Sequence, residues 1–121
     1  MEHHELRDLC LSLRGATEDL PFGPDTLVFR VMDKMFALMP AQLAEGQPPQ
    51  INLKCDPTLA IILRQQYEAV QPGYHMNKTH WNTVVCDGSI PDDEIREMIE
   101  HSYDLIVGGL TKKQRQQLEA L

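Results

Sequence analysis

The chain holds little of what most often announces a function. Cysteine is scarce: Cys10, Cys55 and Cys86 stand alone and far apart. An odd count with no C-x-x-C pair excludes a disulfide framework and supplies no zinc or redox dithiol motif. Each cysteine lies among apolar neighbours, so all three are expected to be reduced and buried as small hydrophobes. Long hydrophobic runs are missing as well. Nothing approaches the roughly 20 apolar residues of a membrane span, and the opening MEHHELRD has no apolar signal-peptide core. A cytoplasmic protein with no membrane partner is expected. Positive charge is in deficit: 11 Lys and Arg against 18 Asp and Glu give a formal net charge of −7, which repels nucleic acid at long range. G-x-S-x-G, the P-loop and G-x-G-x-x-G are all absent, which points away from an enzyme. No catalytic residue and no cofactor are assigned.

What remains is an ordinary globular composition, 42% hydrophobic and 24% charged over 121 residues, enough for one domain spanning residues 1–121. Leu6, Leu9, Cys10 and Leu13 mark one stripe of a first helix that ends at Gly15. DLPFGPD reads as a rigid loop. TLVFRV and MFALM form a hairpin signal around a tip at Asp33 and Lys34. Leu27, Phe29 and Val31 share one face of it, with Val28, Arg30 and Met32 on the other. INLKC alternates, placing Ile51, Leu53 and Cys55 inward and Asn52 and Lys54 outward.

Asp56 and Pro57 suit the cap and first position of a second helix, whose buried face is expected from Leu59, Ile62 and Leu63. WNTVVC reads as the last strand, closed by Asp87-Gly88. Pro91 opens the longest helix, with Ile95, Met98, Ile99, Ser102, Leu105 and Ile106 down one side. Gly108 and Gly109 stop it, and Thr111 with Gln114 forms a capping-box pattern for a short final helix. Short connections and clean alternation favour an α+β fold, an antiparallel sheet with helices packed on one face.

The stretch PGYHMNKTHWNTVVCDG, residues 72–88, is where chemistry concentrates. It carries the only Trp and no acid before Asp87. His75, His80 and Cys86 lack the spacing of a zinc site, and no metal ligand is assigned. Cys86 with His80 lacks any sign of an oxyanion hole or a lowered thiol pKa. His75, Asn77, Lys78, His80, Trp81 and Asn82 instead suit nucleic acid, with cations for phosphates and amide or aromatic groups for bases. Arg30, Lys54, Lys112, Lys113 and Arg115 would extend the patch if the fold gathers them. The same residues also suit a tight turn, with Asn77 and His80 satisfying backbone groups and Trp81 packed on the sheet.

PFGPDTLVFRV, MFAL, INLKCDP, GYHMNKTHWNTV, DGSIPD and SYDLIV together resemble the MmcQ/YjbR family. The resemblance implies a CyaY-like (frataxin-like) sandwich of antiparallel sheet and helices. It also implies a DNA partner, bound through a double-wing arrangement of strands and loops. The family motif falls on Tyr74, His75, Asn77, Lys78, His80, Trp81 and Asn82, so the DNA-binding candidates are these from His75 onward together with Arg30 and Lys54. The alternative from fold analogy is a metal-binding or protein-interaction module using acidic helix surfaces at Glu2, Glu5, Asp8, Glu18 and Asp19. A small-molecule pocket near Trp81 and Phe22 is a third reading.

Overall fold

In the computed structural model, which describes residues 1–121, the periodic segments become four helices and six strands. Their order is α1 (His3–Ser12), β1 (Ala16–Asp19), β2 (Thr26–Val31), β3 (Lys34–Pro40), β4 (Gln50–Lys54), α2 (Pro57–Gln66), β5 (Val70–Pro72), β6 (Trp81–Val85), α3 (Asp92–Gly108) and α4 (Lys112–Glu119). The strands form one antiparallel sheet in the order β1-β2-β3-β4-β6-β5. The α+β class agrees with the alternation in the sequence. Two strands were not expected, and both are sheet edges. ATED is polar and VQP is three residues ending in proline, as suits strands with one unpaired side. The first helix also ends at Ser12, three residues before Gly15.

One face of the sheet is covered. Leu27, Phe29 and Val31 of β2 meet Leu6 and Cys10 of α1, Ile95, Ile99 and Ile106 of α3, and Leu118 of α4 in a single core. Each large side chain buried this way contributes about 1.5–3 kcal/mol. Strict alternation fails once, in β3, where Phe36 and Ala37 both enter the core. A bulge opposite Phe29 and Arg30 supplies the extra residue. Beside it β3 and β4 pair only at Ala37–Leu53 and Leu38–Asn52. Ser102 of α3, fully buried, sits where the ladder opens. It donates to the Phe36 carbonyl at 2.5 Å and accepts from the Lys54 N–H at 2.9 Å, so neither backbone group is orphaned.

The hairpin tip falls one residue earlier than expected. Val31 pairs with Lys34, leaving Met32 and Asp33 as the turn residues at φ 49° and 66°. Positive φ at both central positions is type I′ geometry, which follows the twist of the flanking strands.

α2 also corrects the expectation. Asp56 does cap it, accepting from the Thr58 and Leu59 N–H groups at 3.1 Å. Its apolar face does not close on the sheet, however. Ile62 is 50% exposed, Leu59 and Leu63 are half-buried, and Ala60 is its one buried residue. Ala60 and Leu63 anchor the helix against the core, and a groove remains beside them. The three cysteines are free and buried, and no helix is long and apolar enough to cross a membrane.

Candidate functional site

The second face of the sheet carries no helix. Strand alternation places Asp19, Val28, Arg30, Leu38, Asn52 and Lys54 on it, and Trp81 and Thr83 beside them. Val28, Leu38 and Trp81 form a small apolar cluster there, flanked by Met35 and Met76. At 9% exposure Trp81 packs on the sheet and offers little surface to a ligand.

Residues 73–80 form a loop that folds against this cluster. The Gly73 N–H donates to the Trp81 carbonyl at 2.9 Å. A Cβ at position 73 would lie 2.8 Å from that of Trp81, so the close approach requires glycine. Asn77 makes the expected turn: its Oδ1 accepts from the Thr79 N–H and its carbonyl from the Trp81 N–H, both at 2.9 Å. Lys78 Nζ donates to the Gly73 carbonyl at 3.0 Å, tying the loop to itself. The Tyr74 N–H donates to Thr83 Oγ1 at 3.0 Å, and the Thr83 hydroxyl in turn donates to Asn52.

A residue that sequence reasoning missed organises the segment. Arg64, in the last turn of α2, donates Nε to Asn82 Oδ1 at 2.7 Å and Nη2 to the Trp81 carbonyl at 3.2 Å and to the Lys78 carbonyl. A cation in a last turn reads as a complement to the helix dipole, so the sequence carried no sign of this clamp.

The candidates separate accordingly. Lys54 lies on the helix-free face opposite Trp81, and its side chain makes no hydrogen bond. Arg30 is on the same face two strands away, paired with Asp19 at 3.2 Å and donating to the Asp33 carbonyl. His75 and His80 are exposed on the loop, the His75 ring 4.0 Å from that of Tyr74. Asn82 pairs with Leu53 and points to the helix-covered face, 2% exposed, whereas alternation sends the Lys54 side chain to the other face. Lys112, Lys113 and Arg115 stay with α4 on the covered side and do not extend the patch.

Exposed aromatics replace Trp81 at the surface. Tyr74 is 68% and Phe22 64% exposed. Together they border a groove of about 340 Å³ on the helix-free face, with Gln50, Asn52, Asp25 and His75 also lining it.

The acidic candidates are largely engaged. Glu18 accepts from Arg7 Nε at 2.8 Å, which holds its carboxyl below the usual carboxylate range. Glu5 accepts from the Glu2 N–H at 3.0 Å, and Asp19 pairs with Arg30. No three His, Cys, Asp or Glu side chains gather in a way that could hold a metal ion. Burial pushes the Cys86 thiol up to about 11, the opposite of a poised nucleophile.

Fold and site together define an α+β protein whose helices cover one face of a six-stranded sheet, with the candidate binding surface on the open face. The YjbR family model matches residues 11–105, and the chain belongs to that family. It is 36% identical to the uncharacterised protein YjbR of Escherichia coli (strain K12), over 97% of each chain. It is also 36% identical to the uncharacterised protein YbdF of Escherichia coli O157:H7, over 96% of this chain and 93% of that one. Among solved structures, a Deinococcus radiodurans protein with a DUF419 domain superposes with a TM-score of 0.87 at 37% identity, covering 96% of this chain and 86% of its own. A Pseudomonas syringae protein does so with a TM-score of 0.74 at 32% identity, covering 87% and 98%.

Proposed function

We propose that the chain is a binding protein rather than an enzyme, and that it takes single-stranded DNA into the groove of the helix-free sheet face. The observation behind this is the pair of exposed aromatics, Tyr74 and Phe22, bordering one groove lined by Gln50 and Asn52. Stacking of a base on an aromatic ring contributes about 1–3 kcal/mol, and side-chain amides can meet base edges. Phosphates fall to Lys54 first, because its ammonium is uncommitted. Arg30 is shared with Asp19 and Lys78 with the Gly73 carbonyl. A cytoplasmic setting, in which the three thiols stay reduced, suits this reading. So does a CyaY-like assignment of the architecture, which we likewise propose from the helices gathered on one side of an antiparallel sheet.

With a formal net charge of −7, binding is expected to be weak and salt-sensitive, losing roughly 0.7 in log K per unit of log salt for each phosphate neutralised on a single strand. The test is fluorescence anisotropy of labelled single- and double-stranded oligonucleotides at low and rising salt, with Tyr74→Ala, Phe22→Ala and Lys54→Gln. All three side chains can be truncated without disturbing the core. Saturable single-strand binding that weakens in Tyr74→Ala and whose salt slope falls by roughly 0.7 in Lys54→Gln supports the reading. Absence of binding at low salt, or binding indifferent to Tyr74→Ala, removes it.

A further inference from the structure

A second groove, larger than the one just described, lies on the other face of the sheet. Because α2 stands off the sheet, a groove of about 400 Å³ remains between α2, α3 and strands β4 and β6. That volume falls within the range of small-molecule sites. Leu53 and Val84 form its floor, Leu59 and Leu63 one wall, and Met98 the other. Leu53 and Val84 belong to the main core, and Leu63 and Met98 pack against its edge, so the groove opens directly onto apolar core side chains.

Two polar features give the groove a direction. At the buried end stands Asn82, 2% exposed. Its Oδ1 is taken by Arg64 at 2.7 Å, which fixes the orientation of the amide and leaves Nδ2 as a donor without an acceptor in the protein. At the mouth, Glu94 and Glu97 sit three residues apart on α3, on one side of the helix. Glu94 accepts the Tyr67 hydroxyl and is thereby held in place, while Glu97 is exposed and uncommitted. His101 of α3 also lines the groove, its Nε2 accepting from the Asp56 N–H at 3.2 Å. Lys54 contributes strand backbone to the wall, its side chain lying on the helix-free face by alternation. The Arg64 guanidinium is occupied by Asn82 and two carbonyls.

We propose that this groove binds a small organic ammonium ion with an apolar body, its nitrogen at Glu94 and Glu97 and an oxygen acceptor at the buried end against Asn82 Nδ2. An anionic ligand would meet two carboxylates. A purely apolar one would displace water from the Asn82 amide without replacing its hydrogen bond.

The test uses tyramine, which carries both features, against phenethylammonium, which lacks the oxygen, and 3-(4-hydroxyphenyl)propanoate, which lacks the cation. Binding is followed by amide chemical shifts of the whole protein. For a probe of about ten heavy atoms, dissociation constants on the order of 0.1–1 mM are expected. The proposal requires saturable shifts centred on Leu53, Val84 and Met98, in the order tyramine, phenethylammonium, propanoate. Glu97→Gln should weaken tyramine roughly fivefold, as for a partly exposed ion pair. Leu59→Trp, which fills the wall, should abolish binding while the thermal midpoint and remaining spectrum stay near wild type. No saturation by tyramine, shifts centred elsewhere, or equal binding of the propanoate overturns the proposal. Indifference to Glu97→Gln overturns its electrostatic half.

Discussion

Replacing Arg64 with alanine tests whether the 73–80 loop is held from α2. The bond from Nε to Asn82 Oδ1, 2.7 Å long and ending on a residue 2% exposed, is charge-assisted and contributes about 1.5–3 kcal/mol. The 3.2 Å bond to the Trp81 carbonyl adds on the order of 0.5–1 kcal/mol. The Lys78 carbonyl is open to water and adds little. Freeing the arginine side chain returns part of about 2 kcal/mol of rotamer entropy. The net loss for Arg64→Ala comes to about 2 kcal/mol. At about 4 °C per kcal/mol for a chain of this size, the midpoint should fall by roughly 8 °C. Arg64→Lys keeps the charge but cannot reproduce the planar fork, so it should recover less than half of the loss. Urea unfolding followed by Trp81 emission reports stability at the site itself, and amide exchange at His80 and Trp81 reports the loop. A loss under about 0.5 kcal/mol for Arg64→Ala, or full rescue by lysine, would refute the clamp.

Two further outcomes follow from the core. Ser102→Ala removes the only side-chain partner of both the Phe36 carbonyl and the Lys54 N–H. It should cost about 2–4 kcal/mol in urea unfolding, since two buried backbone groups lose their bonds, and a loss below about 1 kcal/mol would mean that the sheet closes over the gap. The thiols set an alkaline limit. Burial pushes Cys10 up to about 12, and Cys55 and Cys86 up to about 11, whereas unfolded thiols ionise near 8.5. The folded state thus retains protons that the unfolded state releases. Stability should be unaffected below about pH 8.5 and fall as pH rises from there toward 11. Stability curves at pH 7.5, 9 and 10 check this, and a Cys10→Ala variant with the same alkaline slope as wild type would count against Cys10 as a source.

Local rules carried far along this chain. The capping box of Thr111 and Gln114 forms with both of its bonds, Asp56 caps α2, and the odd-even pattern of TLVFRV and INLKC puts Leu27, Phe29, Ile51 and Leu53 in the core. These depend on residues a few positions apart, so the order of residues alone determines them. The GYHMNKTHWNTV motif also placed the chain in its family. Tertiary structure decided the rest. The Phe36 bulge is stabilised by Ser102, 66 residues away in sequence. The turn of Asn82 into the covered face is a polar residue on a core position, tolerated because Arg64 arrives from another element. Periodicity gave α2 a buried side, but only Ala60 is fully buried and its isoleucines stay exposed. Which lysines remain free, and which aromatics face water, depended in the same way on partners brought together only when the sheet closes. Alternation along a strand reports the two faces of the sheet, and carries no record of what will pack against either.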